Sequence, residues 1–138
     1  MASIFRYQKI IDDITTHCLR EPDYNLLATE DRIVELCTLP DGYVYVSVPE
    51  GIELPDQSGN ITVERMELTT DLADAIKKAS PHIALINERV VNMIREKYSV
   101  NDEIKMLRIG PSEETAAYNA YAEECRAWGQ SEKAKLGL

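Results

Sequence analysis

With 138 residues, 44% of them apolar and 28% charged, and with only six glycines and six prolines, the chain has the make-up of one ordinary globular domain. That length buries roughly two-thirds of the unfolded surface, enough for a core that needs no disulfide or metal staple. A net charge of −9 excludes a general nucleic-acid binder and a binder of anionic membranes, since both rely on clustered Lys and Arg.

The N-terminal stretch MASIFRYQKIIDDITTHC mixes charges with apolar residues, so no secretory signal is expected, and no run approaches the roughly 20 apolar residues of a bilayer span. Within it Tyr7, Ile10, Ile11, Ile14 and Cys18 recur at steps of three and four, which predicts an amphipathic helix from about Ser3 to Leu19. Glu21 to Asn25 breaks that pattern. Two β-rich runs, Arg32 to Thr38 and Tyr43 to Val48, then flank Pro40-Asp41-Gly42, a hairpin signal in which Gly42 supplies a positive φ. In the second run Val44, Val46 and Val48 alternate with Tyr43, Tyr45 and Ser47, so one aliphatic face and one partly wet tyrosine face are expected.

Pro49 to Asn60 carries two prolines and two glycines and reads as an extended surface loop. Ile61 to Leu68 is a third strand that adds to the hairpin. From Thr70 the pattern turns helical. Thr70 caps a short helix, Asp71 to Ala79; Ser80 and Pro81 open a long one to about Tyr98, with Ile83, Ile86, Val90 and Met93 in its stripe. A third helix starts near Ser99 or Asn101, runs through Ile104, Leu107 and Ile109, and stops at Gly110-Pro111. Ser112 caps the last helix, whose stripe is Tyr118, Tyr121, Cys125 and Trp128. Gly129 predicts a bend or fraying there. The expected fold class is α+β: residues 1–69 form an N-terminal helix and small antiparallel sheet, and residues 70–138 are helical.

The residues carry no catalytic or metal signature. Two histidines, His17 and His82, and three widely spaced cysteines, Cys18, Cys37 and Cys125, contain no CxxC or HExxH spacing. An odd number of scattered cysteines suits free thiols in a reducing compartment, the cytoplasm. Acid pairs such as Asp12-Asp13, Glu113-Glu114 and Glu123-Glu124 are helix neighbours whose side chains diverge. Neither PDG nor PEG has the spacing of a phosphate loop. A non-enzyme without cofactor, nucleic acid, membrane or small-molecule substrate is therefore expected. Its acidity is uneven: residues 1–69 hold thirteen acids against five bases, the remainder eleven against ten. An alternative role follows from that asymmetry, an acidic inhibitory or regulatory protein docking on a basic surface. Large amphipathic rings concentrate binding energy at interfaces. Tyr118, Tyr121, Cys125 and Trp128, with Tyr43 and Tyr45 on the hairpin, are accordingly the candidate partner-binding residues.

Residues 80–138 contain REKYSVNDEIKMLR, a break, YNAYAEECRAWG and a closing KAKLGL. This half resembles the helical ends of small tailed-bacteriophage proteins, the tail-fibre assembly proteins encoded beside tail-fibre genes. The resemblance implies a non-enzymatic role. The chain would bind a tail fibre or another tail protein, or itself as a homo-oligomer, acting in the host cytoplasm or staying in the virion tail.

Overall fold

Val34 to Val48 form the hairpin that the Pro40-Asp41-Gly42 turn predicts. In the computed structural model, which describes residues 2–11, 14–27 and 29–138, its strands are β4 (Val34–Thr38) and β5 (Val44–Val48). Gly42 takes φ +85°, and its N–H donates to Leu39 O at 2.9 Å. Asp41 locks the turn from the side. One carboxylate oxygen accepts from Tyr43 N and the other from Tyr45 Oη, both at 2.9 Å.

The other strands are β1 (Ser3–Tyr7), β2 (Ile10–Ile11), β3 (Thr16–His17) and β6 (Glu64–Met66). The helices are α1 (Thr70–Ala79), α2 (Pro81–Lys97), α3 (Val100–Ile109) and α4 (Glu113–Lys135). The chain is α+β. Its main sheet is antiparallel with strand order β4-β5-β1-β6, and β2 pairs with β3 separately.

The predicted N-terminal helix is not formed. Residues 3–7 are strand β1, paired from Ser3↔Val48 to Tyr7↔Val44, and the chain then doubles back through β2 and β3. Asp12 and Asp13, the acid pair assigned to that helix, lie outside the described residues. Ile4, Phe5 and Tyr7 are β formers on a strand whose partners lie about 40 and 60 positions away, and that pairing overrides the local helical spacing. Ile11 and Ile14 are exposed, so the three-four spacing buries no continuous stripe. The third strand is also placed differently. It is confined to Glu64–Met66 and pairs with β1, which separates it from the hairpin.

The compact units are Met1–His82 with Ala134–Leu138, and Ile83–Lys133. The change from strand to helix near Thr69 therefore does not coincide with the boundary between them. In the first unit both sheet faces are covered. Phe5 and Tyr7 on β1 join Val44, Val46 and Val48 on β5 with Ile33, Ile52 and Ile61 on one face. Ile4 and Tyr45 join Leu36, Cys37 and Ile76 on the other, under α1 and the segment carrying Leu136 and Leu138. The tyrosine face is consequently dry at Tyr45, which is 2% exposed, and at Ser47. Tyr43 is half-buried, with the Arg6 guanidinium 4.1 Å above its ring. A register shift between Glu35 and Cys37 inserts Leu36 as an extra residue, so the consecutive Leu36 and Cys37 both turn into the core. The 49–60 loop is anchored by Ile52 and by Leu54, which pack on the opposite face with Val44, Val46 and Val48.

Capping residues set the helix ends. Thr69, one residue before the predicted cap, accepts from Leu72 N. Ser80 closes α1 through its backbone N–H to Ile76 O, and its buried hydroxyl makes no hydrogen bond, so it does not cap α2 from its side chain as expected. Ser99 and Asp102 form a reciprocal capping box, and Ser112 Oγ accepts from Thr115 N. Gly110, at φ +77°, ends α3. Helix α4 runs through Gly129 unbroken. Gly129 is buried, and a Cβ there would stand 2.6 Å from Val90 Cγ2, so glycine is required by the close approach of α2 to α4.

Candidate contact surface

Within the second unit, α2 and α4 share an apolar seam. Ile94, Ala122 and Cys125 are its buried centre, flanked by Val90, Met93, Tyr118 and Tyr121. Tyr121 Oη donates to Met93 O at 3.0 Å, which satisfies the phenol while its ring packs. Tyr98 meets Tyr118 edge to face at 5.1 Å between centroids and lies 6.0 Å from Tyr121. Lys97 Nζ caps the Tyr121 ring at 4.4 Å. Burial, with a hydrogen bond to Cys125, holds the Tyr121 phenol above its ordinary range.

The sequence-derived candidates thus divide by position. Tyr118, Tyr121 and Cys125 are brought together, and the partner they face is α2, with Cys125 2% exposed. Trp128 is half-buried outside that cluster. Tyr43 and Tyr45 belong to the other unit, where Tyr45 is core.

Exposed large apolar side chains occur at Ile11, Ile14 and Leu26, on α2 at Leu85 and Val91, and on α3, where Ile109 is exposed on the far side from a stripe of three. None of the ten residues of α3 is buried. Val100 is 52% exposed, Ile104 44% and Leu107 85%. At steps of four and three these side chains lie on one helical face, stacked over about two turns. Glu103, beside the stripe, and Met106, further round the helix, are half-buried, and Arg95 Nη1 on α2 donates to Glu103 Oε2 at 3.2 Å. Ile104, Leu107 and Ile109 were legible as the apolar positions of this helix. What sequence reasoning missed was the exposed stripe that Ile104 and Leu107 form with Val100, which no element covers among the described residues. The signal available was an apolar face on a helix only ten residues long.

The capping box at the head of this helix has an electrostatic signature. Ser99 N–H donates to Asp102 Oδ2 at 2.9 Å, and Asp102 N–H donates to Ser99 Oγ at 3.1 Å. The bond from Ser99 N–H first, and then the Ser99 side chain, hold the Asp102 carboxyl below the usual aspartate range. A lowered folded pKa contributes stability at neutral pH that is lost as pH falls from the ordinary aspartate range through the lowered value. The first turn of α3 is therefore expected to fray on acidification below about pH 4, and Asp102→Asn to remove that pH dependence. Amide chemical shifts of Ser99 and Asp102 followed by NMR between pH 7 and 2 check it. An Asp102 that titrates at the free-aspartate value would contradict the box.

The chemistry elsewhere is modest. Among the described residues no three His, Cys, Asp or Glu side chains are grouped so as to hold a metal ion. Burial pushes the Cys37 thiol up, away from the reactive thiolate. Exposed Cys18 lines a cleft of about 230 Å³ with Tyr7, Lys9 and Glu35, and there Lys9 Nζ is paired with Glu35 Oε1 at 3.1 Å. Among the described residues no helix is long and apolar enough to cross a membrane. No family model, curated protein or solved structure matches the chain.

Proposed function

We propose that the chain is a non-enzymatic contact protein of tailed-phage assembly that covers an apolar face of a tail-fibre protein while the fibre folds or is attached. The supporting observation is the open stripe Val100, Ile104 and Leu107 on α3. Fully burying an aliphatic side chain of this size is worth about 1.5–3 kcal/mol. A helix that leaves three of them in water therefore holds unused binding energy for a partner. The stripe falls inside REKYSVNDEIKMLR, one of the segments that resemble tail-fibre assembly proteins, and that resemblance supplies the class of partner. The net charge of −9 keeps such a surface soluble in the host cytoplasm before the partner is met.

Co-expression with a trimeric phage tail fibre tests this through the yield of soluble trimer. Leu107→Glu is expected to lower that yield about tenfold, as for a central apolar anchor. Simultaneous Glu35→Lys, Glu50→Lys and Glu53→Lys is expected to leave it unchanged. A yield indifferent to Leu107→Glu but lost on charge reversal would overturn the assembly reading in favour of an acidic docking protein.

A further inference from the structure

The flanks of the α3 stripe carry more information than its apolar centre. Val100, Ile104 and Leu107 occupy the d, a and d positions of a heptad, the spacing of a helix-pairing seam. In that register Glu103 is at g, on one side, and Arg108 is at e, on the other. Glu103 is held in place by its bond from Arg95. Arg108 is exposed and makes no ion pair among the described residues.

We infer that α3 pairs in parallel with α3 of a second copy of this chain. In a parallel pair each g residue reaches the e residue five positions further along the other helix. Glu103 of each copy then meets Arg108 of the other, twice by symmetry. An antiparallel pair that overlays the same stripe instead sets Arg108 near Asn101 and Glu103 near Glu103, so neither Glu103–Arg108 contact forms. Charge complementarity thus selects both the occupant, a chain with this same flank order, and its direction. Ten-residue helices bury less than the roughly 1,000 Å² of a stable interface, so the dimer is weak. Weakness suits the role. The inference rests on the reading of this stripe as a contact surface, and the self-pair keeps the stripe covered until a fibre protein displaces it.

Sedimentation of the full chain from about 10 µM to 1 mM tests it. The wild type is expected to pass reversibly from monomer to dimer. Leu107→Glu, at an exposed position that spares folding, is expected to stay monomeric throughout. Arg108→Glu replaces two attractions by two repulsions and is expected to weaken the dimer about tenfold, an effect that fades in 1 M salt. Each contrary result overturns the inference: a wild type monomeric at 1 mM, a dimer indifferent to Leu107→Glu, or one indifferent to Arg108→Glu, as antiparallel pairing requires. A monomeric wild type that still needs Leu107 to raise fibre yield would overturn the pairing alone. A dimer that behaves as expected while fibre yield ignores Leu107 would overturn the assembly role alone.

Discussion

Ile76→Ala is expected to cost about 2–5 kcal/mol, the range for truncating a fully buried aliphatic side chain. Ile76 is 0% exposed, the most enclosed residue of α1, and it packs in one cluster with Ile4, Leu36, Cys37 and Tyr45. Helix α1 has no other buried residue. Its hold on the sheet passes through this side chain, with Leu72 packing beside it. Truncation leaves a cavity that the sheet cannot close, because β5 is filled from both faces. Ile76→Val, which removes one methylene, is expected to cost only about 0.5–1.5 kcal/mol. Urea unfolding followed by far-UV circular dichroism measures both. A loss below about 1 kcal/mol for the alanine variant would show that α1 does not depend on this contact.

Gly129→Ala is expected to destabilise the chain, although alanine is the better helix former by about 1 kcal/mol. The added Cβ would stand 2.6 Å from Val90 Cγ2 and 3.8 Å from Ile86 Cγ2. Overpacking of this kind costs about 1–3 kcal/mol, which outweighs the propensity gain at all but its lower end. Adding Val90→Ala removes the obstructing methyl. The pair of substitutions should therefore be less damaging than the sum of the singles, with a coupling of about 1 kcal/mol or more. A stabilised Gly129→Ala would mean that α2 and α4 stand further apart than the buried glycine implies.

The parts of the fold that were legible are those governed by neighbours in sequence. The Pro40-Asp41-Gly42 turn sets the register of β4 on β5 through bonds no more than four residues apart. Ser99, Gly110 and Ser112 mark helix ends because caps act on the adjacent turn. Strand β1 was not legible, since its partners are β5 and β6 and its last residue, Tyr7, also opens the helical period that Ile10, Ile11 and Ile14 continue. The dryness of Tyr45 was hidden for a related reason. Alternation tells which residues share a face, but not that α1 and Leu136 cover the second face.

The contact surface shows the same limit from the other side. Tyr118, Tyr121 and Cys125 have the spacing of an interface stripe, and a seam against another helix of the same chain has that spacing too. Their assignment depends on where α2 lies, and Tyr121 bonds to the carbonyl of Met93, 28 positions earlier. On α3 the spacing of Ile104 and Leu107 was visible, whereas their exposure depends on the absence of a covering element. Periodicity does not report that.

The division of the first unit into Met1–His82 and Ala134–Leu138 has a consequence for the order of events during synthesis. As the chain leaves the ribosome, the strands and α1 emerge first, and their second apolar face, with Ile4 and Tyr45, waits for Leu136 and Leu138. All of Ile83–Lys133 must be translated in between. The nascent protein therefore spends that interval with a partly open β-sheet, so its earliest-made half is among the last to be finished.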